Sequence, residues 1–294
     1  MQLVSILHTT AYEFDRTVQL GPHQLYLRPR DGFDLRISSS RLDISPTASV
    51  RWMRDLFNNS VAEASFNQPT DRLIITSQIV AEQYYQCGPQ LGIETAKNPA
   101  MTSGHTLKAL AAFQQAADPE DTELPDWLHL DQHVSCAEAI DRLIEMASHI
   151  KAHFHYTKRE EPGVQSALET LSQGSGSCRD FTWLLMWALR RHHWPTRFVT
   201  GYLVSEAHPD ASGATHAWLE IFLDALGWVG VDPTCGDLVR GKQIAVATSA
   251  NPDQLPPIAG SFVGPTQTES RMSVSVETAF INSPNVDAHL TSNR

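Results

Sequence analysis

Cysteine is scarce in this chain. The 294 residues contain 4, namely Cys87, Cys136, Cys178 and Cys235, and no two form a Cys-x-x-Cys pair. That spacing argues against a zinc ribbon and against a disulfide framework. Long hydrophobic runs are also missing: none approaches the ~20 apolar residues needed to span a bilayer. Charge of one sign is never gathered into a block. The 33 acidic and 22 basic residues are interspersed and leave a formal net charge of −11, so neither a nucleic acid nor an anionic membrane is expected as the main partner. The first residues, Met1-Gln2-Leu3-Val4-Ser5-Ile6-Leu7-His8, carry no basic leader, and a cytoplasmic chain is expected rather than a secreted one. What is present is core material. Hydrophobic residues make up 41%, with 7 Trp and 11 Phe, and the length suits two globular domains.

Residues 1–85 read as short strands separated by turns. Leu3 to Tyr12, Leu25 to Leu27, Leu35 to Ile44, Val50 to Leu56, Val61 to Phe66 and Leu73 to Val80 carry the alternating and β-branched residues. Gly21-Pro22, Ser45-Pro46, Asn58-Asn59 and Asn67-Gln68-Pro69 punctuate them. Strand after strand without a helical period predicts an all-β N-terminal domain, a docking or structural unit rather than a catalytic one. His8 and His23 stand singly there, with no ligand-like spacing. Residues 86–134 read as a linker with one helix around Leu107 to Phe113.

The second domain is expected over 135–284, with a tail at 285–294. Ser135-x-x-Glu138 and Ser166-x-x-Glu169 are capping boxes, each opening a helix. His149 and His153 stand four apart on the first, a spacing that can hold a metal. No Glu follows the first His and no third ligand is evident, so a polar helix face is preferred and no metal is assigned. After Pro195 the pattern turns to strands over Arg197 to Val204, Thr215 to Leu223 and Trp228 to Asp232. Short connections make them antiparallel neighbours. Period-two alternation places His216, Trp218, Glu220 and Phe222 on one face.

The chemistry converges on Gly174-Ser175-Gly176-Ser177-Cys178-Arg179-Asp180. Two glycines lead to a cysteine at the start of an apolar helix, whose free N–H groups and partial positive charge favour a thiolate. A cysteine on that helix, His216 on one strand and Asp232 on the next form a line of nucleophile, base and orienting acid. Backbone N–H groups at the helix start would serve an oxyanion. The product is a thioester, released by water or by an amine. Cys235, three residues past Asp232, is a candidate for oxidation with Cys178.

Four motifs in order, Gly174-x-Gly176-x-Cys178-Arg179-Asp180-Phe181, Arg197-Phe198-Val199-Thr200-Gly201-Tyr202, His216-Ala217-Trp218-x-Glu220 and Gly227-Trp228-x-x-x-Asp232-Pro233-Thr234, resemble the core of the transglutaminase-like superfamily. The match is nearest to its bacterial transglutaminase-like branch of candidate cysteine proteases. His8-Thr9-Thr10-x-Tyr12, Leu27-Arg28-Pro29-Arg30 and Asp55-x-Phe57-Asn58-Asn59 resemble that branch's β-rich N-terminal domain. The resemblance implies an α+β fold: a papain-like core with an antiparallel sheet packed on a buried Cys-bearing helix. It implies Cys178, His216 and Asp232 as the triad, and a peptide or protein substrate, with no cofactor. Hydrolysis of a carboxamide or peptide bond is expected first, transamidation or deamidation second. A non-catalytic scaffold is the rival from another class. Two positions depart from the branch. Gln173 replaces a basic residue before the first glycine, and Lys242 to Ala250 lacks the polar residues usual after the Asp motif. Calcium-dependent members need acidic loops; none is seen, and no metal dependence is implied.

Overall fold

The computed structural model describes residues 1–84, 104–115, 123–159, 161, 163–204 and 215–281. Cys87, much of the expected linker and the expected tail lie outside the described residues. The fold is α+β. Four helices are described: α1 (Gly104–Gln114), α2 (Cys136–His153), α3 (Ala167–Gln173) and α4 (Cys178–Arg191). Both predicted capping boxes are formed. Ser135 N donates to Glu138 at 2.8 Å and Ser166 N to Glu169 at 3.0 Å, and each serine Oγ accepts in return from the glutamate's N–H.

The central sheet is antiparallel, in the order Asp237–Leu238, Gly227–Asp232, His216–Leu223, Thr196–Leu203, Gln243–Ser249. Helix α4 packs on its middle strands. That helix is apolar nearly all round, so it is buried on several sides at once, with Phe181, Leu184, Leu185, Trp187 and Ala188 all in the core. At its C-terminal end Arg190 is buried too. Its guanidinium donates to Thr196 Oγ1 (3.0 Å), Thr196 O (2.7 Å) and Ala250 O (2.7 Å), and burial lowers its pKa to about 10.

The N-terminal residues form two antiparallel sheets packed as a sandwich, around Phe14, Val18, Leu25, Phe66, Leu73 and Ile75. The first strand, expected over Leu3 to Tyr12, runs over Gln2–Leu20. Its charged middle residues Asp15 and Arg16 are exposed beside an irregularity in the pairing, while Val18 and Leu20 are buried again. The chain also returns here late. Ile258–Ala259, Phe262–Val263 and Ser270–Ile281, which the sequence reading placed with the second domain, pair with strands of the first. Ser270–Ile281 runs along Gln2–Leu20 from Leu3↔Ile281 to Phe14↔Ser270.

The two parts share a core. Val4, Ile6, Leu35, Ile79 and Val276 join α2, α4 and the central sheet in one cluster. Polar contacts fix the register between them. Asn59 Nδ2 donates to Thr248 O (2.8 Å) and Thr248 N donates to Asn59 Oδ1 (2.9 Å), sealing the edge strand of the central sheet. Arg30 N donates to Ala245 O (2.9 Å) and Arg30 Nη1 to Thr248 Oγ1 (2.7 Å). The Arg28-Pro29-Arg30 and Asp55-x-Phe57-Asn58-Asn59 motifs therefore serve docking. His8 belongs to the same seam: buried, it meets Tyr202 Oη (3.1 Å) and Thr10 Oγ1 (3.0 Å), and desolvation lowers its pKa to about 4.

Candidate active site

The loop before Cys178 is shaped by its glycines. Gly174 ends α3 in the left-handed region, φ 58°, where glycine carries no Cβ penalty. Gly176 pairs with Tyr156 in a short parallel ladder. A Cβ on Gly176 would fall 2.8 Å from Asp180 Cβ, so the close approach needs glycine. Asp180 is fully buried and uses both carboxylate oxygens. Oδ2 accepts from Ser177 N and Ser177 Oγ, each at 2.7 Å. Oδ1 accepts from Arg159 Nη1 and Gln165 N, also 2.7 Å each. This clamp fixes the first turn of α4 and with it Cys178. The carboxylate at N3 also suits the positive end of the helix.

His216 opens its strand and Asp232 closes the next, and the register Glu220↔Gly230 with its period of two puts both on one sheet face. Their side chains meet: His216 Nε2 donates to Asp232 Oδ2 at 2.7 Å. Asp232 is fully buried, while Cys178 and His216 keep 6% and 8% exposure. The carboxylate is well supplied with donors. Thr234 N (3.0 Å) and Cys235 N (3.1 Å) bond Oδ1, and Gln243 Nε2 bonds Oδ2 (2.8 Å). Burial alone would push the His216 pKa down. The hydrogen bond to Asp232, interactions with the Cys178 and Cys235 thiols and the Asp232 charge outweigh it and hold the imidazolium well above the usual histidine range. For Asp232 burial acts upward, and His216 with Gln243 brings the net value below the ordinary carboxylate range.

Cys178, His216 and Asp232 are thus brought together from a helix and two strands. Three neighbours were not singled out as site residues in the sequence. Tyr156, half-exposed, lies against Cys178, and burial together with that neighbour's charge pushes its phenol up to about 12. Gln243, in the segment noted for lacking the branch's polar residues, holds Asp232. Asp180 was visible only as a letter of the Cys178 motif. The one available signal was its three-residue offset from Ser177, a capping box with Asp in place of Glu.

Other flagged residues lie elsewhere. His149 and His153 stack on one another (4.2 Å between centroids), and His149 stacks on Trp127 (4.1 Å). They join no cluster of three potential metal ligands among the described residues. His23 Nδ1 donates to Gly21 O (2.8 Å) within its own turn. Gln173 is bonded by Gln165 Nε2 at 3.2 Å. Cys136 is buried, and desolvation raises its thiol pKa.

A glycine-framed cysteine on a buried helix, facing a His–Asp pair on an antiparallel sheet, defines the class to which the fold belongs. The comparisons place the chain within it. Residues 4–82 match the bacterial transglutaminase-like N-terminal region and residues 129–233 match the transglutaminase-like superfamily. The chain belongs to the bacterial transglutaminase-like branch of that superfamily. It is similar to an uncharacterised protein of Mycobacterium tuberculosis, 26% identical over 271 residues, covering 87% of this chain and 86% of the relative. A Mycobacterium leprae protein is 23% identical over 281 residues, covering 90% and 94%. Among solved structures, a candidate cysteine protease of Cytophaga hutchinsonii shares the fold: TM-score 0.67, 15% identity, 96% of this chain and 92% of that one. No helix among the described residues is long and apolar enough to cross a membrane.

Proposed function

We propose that this protein is a thiol-dependent acyl-transfer enzyme acting on a carboxamide or peptide bond, with Cys178 as nucleophile, His216 as acid–base group and Asp232 as its orienting partner. The observation that carries the reading is the buried 2.7 Å His216–Asp232 hydrogen bond beside a cysteine in the first turn of α4. An imidazole held in its charged form at rest is the counter-charge a thiolate needs. In the proposed cycle Cys178 Sγ forms a bond to the carbonyl carbon. The C–N bond then breaks as His216 gives its proton to the departing amine, leaving a thioester. Water adds next, His216 takes its proton, and the C–S bond breaks to regenerate the thiolate. Backbone N–H groups of the first turn of α4 would face the oxyanion.

Water is the acceptor we favour, because an amine would need a second binding site. A peptide or protein is the substrate class implied by the family. We place the enzyme in the cytoplasm, where thiols stay reduced. The test is incubation with peptide libraries, with and without a primary amine, followed by mass spectrometry. Cleaved peptides support the protease reading, a one-dalton gain at glutamine would indicate deamidation, and amine adducts would indicate transamidation. Turnover by Cys178→Ala equal to that of the wild type would overturn the assignment of the nucleophile.

A further inference from the structure

His216 faces two thiols. Cys235 follows Asp232 by three residues, and its Sγ, a His216 ring nitrogen and an Asp232 oxygen all lie within 4.8 Å of one another. Cys178 is not one of this trio. The set is one thiolate donor, one imidazole and one carboxylate, on a turn and two strands that leave little freedom to move. Mixed sulfur, nitrogen and oxygen donors suit a borderline-soft divalent cation of the zinc type, and ill suit calcium or magnesium.

A second observation points into the same spot. Gln243 is 9% exposed and its amide reaches both Asp232 Oδ2 (2.8 Å) and Cys235 Sγ (3.9 Å). Its Oε1, on the same carbon, is buried and has no hydrogen-bond partner, and the same is true of Thr234 Oγ1 next to Cys235. Buried oxygens are normally satisfied, so two orphans beside one cluster need a partner the protein does not supply. A cation or its bound water would supply it.

We propose that Cys235, His216 and Asp232 form a binding site for a zinc-class divalent cation, with Gln243 Oε1 beside the fourth position. Tetrahedral zinc–ligand bonds of about 2.0–2.3 Å put donor atoms roughly 3.3–3.7 Å apart. The His216–Asp232 pair would therefore open by somewhat under an ångström from 2.7 Å, and Cys235, already within 4.8 Å of both, would close by at most about 1.5 Å. Asp232 Oδ1 stays tied to Thr234 N and Cys235 N throughout, leaving Oδ2 as the ligand. Binding displaces the proton shared by His216 and Asp232 and the Cys235 thiol proton. The consequence, which rests on the proposed function, is reversible inhibition: a cation on His216 takes the imidazole away from Cys178.

The test is titration of the full-length, metal-free protein with cobalt(II), a spectroscopic stand-in for zinc. One equivalent is expected to give a thiolate-to-cobalt charge-transfer band and the visible spectrum of a tetrahedral ion. The same spectrum is expected from Cys178→Ala, and the charge-transfer band is expected to vanish in Cys235→Ala. Circular dichroism checks that each variant is folded. Cys235→Ser, closer in shape, provides the same test if the alanine variant is not folded. Stoichiometric zinc is expected to slow iodoacetamide labelling of Cys178 at least tenfold in the wild type, with recovery on chelation, and to leave Cys235→Ala unaffected. A spectrum that survives in Cys235→Ala, that is lost in Cys178→Ala, or that never forms overturns the site. Metal-free protein whose Cys178 fails to react would sink the functional reading instead, and would leave the cobalt result standing.

Discussion

His8 ties the first strand to the central sheet, and its burial makes folding sensitive to acid. Its imidazole is buried between Tyr202 and Thr10, and desolvation depresses its pKa from 6.5 to about 4. The folded chain therefore refuses a proton that the unfolded chain accepts below pH 6.5. Stability from this group is complete above 6.5 and is lost as pH falls toward 4. A shift of this size corresponds to roughly 3 kcal/mol in all, and about 2 kcal/mol of it is lost between about pH 7.5 and pH 5. His23 titrates in the same direction, so the effect must be read as a difference. His8→Gln keeps an amide able to bond Tyr202 and Thr10 but cannot titrate. Urea unfolding of both proteins at the two pH values isolates the term: the wild type is expected to lose about 2 kcal/mol more than the variant. Equal losses in both would show that His8 does not carry the acid sensitivity, and that the buried, neutral seam described above is wrong.

Three further outcomes are expected. Arg190→Leu should cost about 3 kcal/mol in urea unfolding, because it strips charged donors from Thr196 O and Ala250 O; Arg190→Lys should recover only part, since one ammonium cannot also reproduce the fork's bonds to Thr196 Oγ1 and Gln115 O. Asp232→Asn should lower the His216 titration, followed by nitrogen-15 NMR of labelled histidine, because the carboxylate's charge and hydrogen bond no longer oppose burial and only the Cys178 and Cys235 contacts still do. The stability His216 contributes is full below 6.5 and fades as pH rises through its raised value, so this variant should also flatten the alkaline limb of the stability profile. Gln243→Leu should destabilise by roughly 1–3 kcal/mol through loss of a donor to a buried carboxylate, measured by the same unfolding.

Much of this was legible in the residues because local physics wrote it there. The two Ser-x-x-Glu boxes could be read because each precedes a run of helical period and both partners lie within one turn. Alternation put His216 and Asp232 on one face because neighbouring antiparallel strands keep a period of two. What escaped depends on partners distant in the chain. Nothing in Ser270–Ile281 announces that it will pair with Gln2–Leu20, because backbone hydrogen bonds carry no residue identity. Arg159 and Asp180 are 21 residues apart, so their ion pair has no spacing signature. Gln243 looked unremarkable in an apolar segment, and it became part of the site only because its strand begins beside Asp232.

The proposed chemistry requires Cys178 to be an activated nucleophile, and its reaction with iodoacetamide across pH, located by mass spectrometry, tests that directly. The expected result is first labelling at Cys178, at a rate at pH 6 within about tenfold of that at pH 8.5. An ordinary thiol of pKa about 8.5 would slow roughly 150-fold over that range. His216→Ala should restore the ordinary profile. Prior labelling of Cys87, Cys136 or Cys235, or a Cys178 rate that follows the ordinary thiol curve in the wild type, would contradict the account.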